Sequence, residues 1–128
     1  MKTRLINYRE GAIDLMFALD RPRNTIGRDV DNMIQLVHDE VSKHHAAILQ
    51  NKGAWTIEDL NSRNGVLVNG KRVVRAELKD GDTVKIGPFM FNFEVNVPEF
   101  DWVPAHIVEL GTQIRHHTIF ENRPDGRS

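Results

Sequence analysis

The chain has 128 residues, 40% of them hydrophobic, which suits one globular domain with an ordinary core. Seventeen Lys and Arg residues against 18 Asp and Glu residues give a formal net charge of −1, so no overall basic field would hold nucleic acid or an anionic membrane surface. The chain contains no cysteine, which excludes disulfides, a thiolate nucleophile and cysteine-ligated zinc and fits a reducing compartment.

Neither a secretory signal nor a membrane span is predicted. Residues 1–8 carry charge, but no apolar stretch follows them. No run of about 18 apolar residues occurs in the sequence. We therefore expect a soluble, cytoplasmic protein.

Short apolar runs separated by turn residues continue from Arg4 to Val97, a pattern typical of an all-β sandwich or barrel. Asn69-Gly70 predicts a type I′ hairpin turn, because both positions of that turn need a positive φ. The predicted strands are Ile13–Leu19, Thr25–Ile26, Met33–Val37, Ala46–Leu49, Trp55–Ile57, Val66–Val68, Lys71–Val74, Thr83–Ile86 and Phe89–Val95.

The composition changes after Pro98. Val103, Ile107, Leu110 and Ile114 recur at steps of four, three and four, the spacing of one helix face, which predicts a short helix over about 102–115. The composition after residue 121 is that of a frayed tail. We therefore divide the chain into a domain at 1–97 and a C-terminal extension at 98–128. The apolar stripe of the extension either packs on the domain or joins copies of the chain into a homo-oligomer.

Three polar clusters fall between predicted strands, where a rigid scaffold presents recognition residues. They offer a guanidinium, a hydroxyl, further basic side chains and an amide, a set suited to binding phosphate. The clusters are Gly27-Arg28, Ser42-Lys43-His44-His45 and Asn61-Ser62-Arg63-Asn64-Gly65.

The first two clusters contain the groups that would contact an anion. Arg28 has a planar fork that donates two parallel hydrogen bonds to phosphate and keeps its charge, and Gly27 lets the backbone turn before it. Ser42 and Lys43 add a hydroxyl and an ammonium. His45 precedes an apolar run, so we expect its ring to brace two loops. His44 is expected to point to solvent.

The Asn64-Gly65 pair differs from Asn69-Gly70, because no alternating strand leads directly into it. Asn64 could therefore hold the backbone of a guest peptide through its carbonyl and amide groups. Simple turn formation remains the alternative explanation for this pair.

The order and surroundings of the clusters resemble the forkhead-associated (FHA) domain over about residues 4–97. The resemblance implies an antiparallel β-sandwich of about eleven strands that binds phosphothreonine peptides through loops at one end. The matching residues and motifs are Ile26-Gly27-Arg28-Asp29, Asn32, Ile34, Leu36, Asp39, Val41-Ser42-Lys43-His44-His45-Ala46, Trp55, Asp59-Leu60-Asn61-Ser62-Arg63-Asn64-Gly65, Val68-Asn69-Gly70, Leu78, Asp80-Gly81-Asp82 and Ile86-Gly87.

By position, the resemblance implies that Arg28 and Ser42 grip the phosphate and that Asn64 holds the peptide main chain. Lys43 stands where the family often has Arg or Asn, which implies a supplementary phosphate contact. Arg63 departs from the more usual Thr or Lys and is expected to add affinity or to contact an acidic residue of the peptide. The loop-supporting positions are Gly27, His45, Ser62 and Gly65.

The function implied by the resemblance is recognition of Thr-phosphorylated partners marked by a Ser/Thr kinase. Catalysis is an alternative class, but the sequence has no HExxH zinc motif, Gly-x-Ser-x-Gly elbow or P-loop. No cofactor or metal is expected. A phosphate-independent interaction or oligomerisation module that uses residues 98–128 is the other alternative.

Overall fold

The computed structural model describes residues 2–98 and, as a short strand, residues 113–116. These residues form two six-stranded sheets, of order β2-β1-β11-β10-β7-β8 and β12-β4-β3-β5-β6-β9. The strands are β1 (Lys2–Arg9), β2 (Ala12–Ala18), β3 (Arg23–Gly27), β4 (Ile34–Val37), β5 (Ala46–Asn51), β6 (Ala54–Asp59), β7 (Val66–Val68), β8 (Lys71–Val73), β9 (Arg75–Leu78), β10 (Thr83–Ile86), β11 (Phe89–Val97) and β12 (Gln113–His116).

The core lies between the two sheets. Period-2 alternation in β11 turns Phe91 and Phe93 inward, where both are fully buried. Phe93 meets Trp55 of the opposite sheet edge-to-face, with ring centroids 5.8 Å apart, and Phe91 meets Phe17 in the same way at 5.9 Å. The predicted all-β sandwich is therefore confirmed. Its strand pairs are antiparallel except β3 with β4, which run parallel.

The predicted hairpin at Asn69-Gly70 is also confirmed. Both residues have positive φ, 52° and 84°, and the flanking strands β7 and β8 pair antiparallel. The strands β1 and β9 were not singled out in the sequence. Among the four residues of β9, Leu78 alone is buried. β9 lies at an edge of the second sheet, paired with β6, and β1 lies between β2 and β11 in the first.

The predicted helix at about 102–115 falls mostly outside the described residues, as does the predicted frayed tail. At 113–115 the prediction is wrong, because these residues belong to β12, which pairs antiparallel with β4. The edge of β4 presents unpaired backbone N–H and C=O groups, and a strand satisfies them where a helix would not. No helix in the described part of the chain is long and apolar enough to cross a membrane.

Candidate functional site

Three loops meet at one end of the sandwich. We call residues 28–33 the first loop, 38–45 the second and 60–65 the third; they follow β3, β4 and β6. The first and second loops are joined by backbone hydrogen bonds, in which the N–H of Arg28 donates to the Ser42 carbonyl (2.9 Å) and the N–H of Asp29 donates to the Lys43 carbonyl (3.2 Å). The three sequence clusters thus come together.

Gly27, the last residue of β3, permits this close approach. A Cβ at position 27 would collide with the Lys43 carbonyl oxygen and would lie 2.7 Å from Nδ2 of Asn32. The Asn32 side chain, 1% exposed, fills that space and donates from Nδ2 to the carbonyls of Asp29 and Lys43, both at 2.8 Å. Glycine is therefore needed here because a larger residue would not fit, and not for the backbone turn that the sequence predicted.

Arg28 enters the first loop half-buried, and its backbone is fixed on both sides. Its carbonyl accepts a hydrogen bond from Nε2 of Gln35, at 2.9 Å, in addition to the bond that its N–H makes to Ser42. Within residues 2–98, no carboxylate lies within ion-pair distance of its guanidinium. The backbone of Arg28 is thus fixed, while the N–H donors of its guanidinium stay available.

The buried ring of His45 joins the second loop to the third. The N–H of Ser42 donates to Nδ1 at 3.0 Å, so Nδ1 is the acceptor and the ring proton lies on Nε2. Nε2 then donates to the Gly65 carbonyl at 2.8 Å. The ring of His45 therefore braces the two loops, as the sequence predicted.

The side chain of Ser42 lies between the second and third loops. Its Oγ accepts a hydrogen bond from the backbone N–H of Arg63, at 3.0 Å. No acceptor for its hydroxyl proton is present among the described residues. Because the Arg63 bond occupies a lone pair, the proton points elsewhere and can be donated to an anion.

The third loop is shaped by Ser62, which is itself buried. Its N–H and hydroxyl both donate to Oδ1 of Asp59, at 3.0 and 2.5 Å, and its Oγ accepts from the N–H of Gly65 at 2.9 Å. Gly65 has a φ of +81°, a conformation that favours glycine. The guanidinium of Arg72 occupies the space that a Cβ at position 65 would need.

Asn64 and Arg63 reach back from the third loop to the second. Nδ2 of Asn64 donates to the Glu40 carbonyl at 2.9 Å, which leaves its Oδ1 and its second amide proton available. Nη2 of Arg63 lies 3.4 Å from the Asp39 carbonyl. Both side chains are exposed, and both are oriented by contacts with backbone oxygens.

An open cavity of about 420 Å³ lies between these loops. In the described part of the chain, its Arg and Lys side chains form no ion pair, and the ring of His44 bonds to Asp31 outside the cavity at 3.1 Å. The charged or polar lining includes Arg28, Asp39, Glu40, Ser42, Lys43 and Arg63. Asn64 does not line the cavity but stands next to it on the third loop.

Asp29, Asp31 and His44 form a group at the rim of the site. One ligand atom from each lies within 4.8 Å of the others. Asp31 and His44 are exposed and Asp29 is half-buried, and exposed acidic groups commonly occur together without a metal. The pair between Asp31 and His44 links the first loop to the second.

Three supporting residues were not predicted as site residues, although the sequence carries a signal for each of them. Gln35 is a polar residue inside the apolar run of β4, and its amide holds the Arg28 carbonyl. Asp59 stands three residues before Ser62, and an aspartate beside a turn commonly accepts a hydrogen bond from a nearby backbone N–H. Asn32 belonged to the family pattern, but no role was assigned to it.

The fold and this loop site define a β-sandwich recognition module with a cationic cavity at one end. The family model for the FHA domain matches residues 24–87, half of the chain. The chain therefore belongs to the FHA domain family, and the resemblance seen in the sequence is confirmed.

Curated relatives include two proteins of Mycobacterium tuberculosis. The ABC transporter ATP-binding/permease protein Rv1747 is 47% identical over 62 residues, which are 48% of this chain and 7% of that protein. The transcriptional regulatory protein EmbR is 38% identical over 81 residues, which are 62% of this chain and 21% of that protein. The chain thus spans less than a quarter of the length of these relatives.

Solved structures with the same fold include complexes. Mycobacterium tuberculosis EmbR with a low-affinity phosphopeptide has a TM-score of 0.68 at 34% identity, over 73% of this chain and 24% of that one. The FhaA FHA domain complexed with the intracellular domain of Rv3910 has a TM-score of 0.64 at 29% identity, over 73% of this chain and 100% of that one. A structure from work on phosphothreonine-dependent FHA domain interactions has a TM-score of 0.67 at 27% identity, over 77% and 100%.

Proposed function

We propose that this chain binds phosphothreonine in a partner protein, at the cavity between its three loops, for kinase-dependent signalling or assembly. The observation that carries the proposal is the cationic lining of the cavity. Arg28, Lys43 and Arg63 line it together with Asp39 and Glu40, and none of the three cations forms an ion pair with a carboxylate of the described residues. In a chain of net charge −1, this is a local anion site.

The phosphate contacts follow from the donors that remain available. A phosphothreonine carries about −1.5 to −2 charges at pH 7 and three acceptor oxygens. The fork of Arg28 donates two parallel bonds to it, and the hydroxyl of Ser42 donates a third. Bonds to charged groups contribute roughly 1.5 to 3 kcal/mol each, so these contacts distinguish the phosphorylated from the unmodified peptide by several orders of magnitude.

The peptide main chain is held by Asn64 in this proposal. Its free Oδ1 accepts a peptide N–H, and its second amide proton is donated to a peptide carbonyl. Lys43 and Arg63 add positive charge at the rim, where they contact the phosphate or an acidic residue beside it. The chain acts by binding alone, without chemical conversion of the peptide.

The relatives support this proposal through two descriptions. EmbR, 34% identical to this chain, has been solved with a phosphopeptide. An FHA domain that is 27% identical to this chain comes from work on phosphothreonine-dependent interactions. These similarities supply the ligand class, and the free donors of Arg28 and Ser42 supply the chemistry.

Titration of the Arg28→Ala variant with a phosphothreonine peptide tests the proposal. Loss of two charge-assisted bonds of roughly 1.5 to 3 kcal/mol each predicts at least about a hundredfold weaker binding. Arg23→Ala is the matched control, because Arg23 is an exposed arginine at the opposite end of the same strand, β3. Near-wild-type affinity of Arg28→Ala would refute the site, and equal binding of the unphosphorylated peptide would refute the ligand class.

A further inference from the structure

The short strand β12 lies beside the strand that connects two of the site loops. It pairs antiparallel with β4 over all four residues, from Gln113 opposite Val37 to His116 opposite Ile34. The first loop, 28–33, leads into β4, and the second loop, 38–45, leaves it. β12 falls outside residues 24–87, which the FHA family model matches.

Without β12, β4 would be the edge strand of the second sheet and would have one neighbour, β3. The register with β3 includes two residue pairs, Ile26 with Ile34 and Gly27 with Gln35, and it is parallel. Parallel pairing is slightly less stable per residue than antiparallel pairing. The pairing with β12 therefore supplies much of the backbone bonding that fixes β4.

The position of β4 affects the cavity in two ways. The side chain of Gln35, on β4, donates to the carbonyl of Arg28. At its C-terminal end, Val37 leads directly into residues 38–45, which include Ser42 and the cavity-lining Asp39 and Glu40. A shift of β4 would therefore move both Arg28 and Ser42, which line the cavity.

We infer that β12 is a positioning element for ligand binding: its pairing with β4 holds the first and second loops in the geometry that binds phosphothreonine, so release of β12 lowers affinity. The inference rests on the proposed function and makes the C-terminal segment a regulator of the same site. The occupant of the β4 edge is the chain's own strand, which argues for packing within the molecule over oligomerisation through residues 98–128.

A pair of proline variants in the full chain tests the inference. In an antiparallel ladder, consecutive N–H groups of an edge strand point alternately toward and away from the partner strand. Of Ile114→Pro and Arg115→Pro, one therefore removes a donor to β4 and the other removes an outward N–H, which an edge strand tolerates. Each variant is the control for the other.

We expect one of the two variants to bind a phosphothreonine peptide about tenfold more weakly, equivalent to about 1.4 kcal/mol, and the other to bind within about twofold of wild type. The weaker variant should also show faster amide hydrogen exchange over Ile34–Val37. Equal affinity of both variants and wild type would overturn the inference, even if exchange changed. A wild-type chain that bound no phosphothreonine peptide would refute the proposed function instead, and the exchange of residues 28–42 would then decide whether β12 positions these loops.

Discussion

Replacing His45 with alanine would remove both hydrogen bonds through which its ring joins the second loop to the third. The side chain is fully buried, and its partners are backbone groups, the N–H of Ser42 and the carbonyl of Gly65. Both backbone groups remain in place when the imidazole is removed. The substitution therefore leaves one donor and one acceptor without a hydrogen-bond partner, and it also opens a cavity.

The magnitude follows from the burial of these two groups. A buried polar group left unsatisfied costs about 1 to 3 kcal/mol. The bond to Gly65 is buried and the bond to Ser42 is partly buried, so the two together are worth about 2 to 4 kcal/mol before the cavity is counted. At roughly 4 to 8 °C per kcal/mol for a domain of this size, the melting temperature should fall by at least about 8 °C.

The assay combines thermal unfolding with titration of a phosphothreonine peptide at a temperature where every variant is folded. Ile57→Ala is the control, since Ile57 is fully buried in the core on β6 and its truncation should cost about 2 to 5 kcal/mol without touching the loops. His45→Ala should weaken binding about tenfold or more, whereas Ile57→Ala should not. An unchanged melting temperature, or equal loss of affinity in both variants, would refute the brace.

Two further predictions concern the close approach of the loops and the charge of the ligand. Gly27→Ala should lower stability by about 1 to 3 kcal/mol and weaken phosphopeptide binding, because its Cβ must displace the Lys43 carbonyl; unaltered urea unfolding would contradict this. Affinity should decline between pH 7.5 and 5, as the phosphate gains a proton near pH 6. A flat affinity profile over that pH range would contradict recognition of the dianion.

The sandwich was largely readable from the sequence because its strands carry their own signals. The alternation of Phe89 to Val95 predicted β11, and Asn69-Gly70 predicted the hairpin, since both depend on local periodicity and turn chemistry. β9 lacked such a signal because most of its residues are not buried. At 113–115 the helical spacing was misleading, since pairing with the β4 edge, a contact distant in sequence, decides the conformation there.

In the site, too, the sequence predicted what depends on local pattern and missed what depends on contacts between distant residues. The clusters named the groups that line the cavity or stand beside it, because loops between strands present such residues at one end of a sandwich. The sequence did not reveal that Gly27 makes room for the Lys43 carbonyl, or that Gln35 holds the carbonyl of Arg28. These contacts join residues 7 to 16 positions apart, and only the folded sheet brings them together.

The hydrogen bonds of Ser42 explain why residues that never touch the peptide should govern affinity. Its N–H donates to His45, its carbonyl accepts from Arg28 and its Oγ accepts from Arg63, so each polar group of the residue is tied to a different partner. The hydroxyl proton is what remains for a ligand. A donor fixed in this way loses little conformational freedom on binding, and that entropy would otherwise reduce affinity by about 0.5 to 1.5 kcal/mol for each side chain immobilised. Variants that free Ser42 should therefore weaken phosphopeptide binding even when Ser42 itself is unchanged.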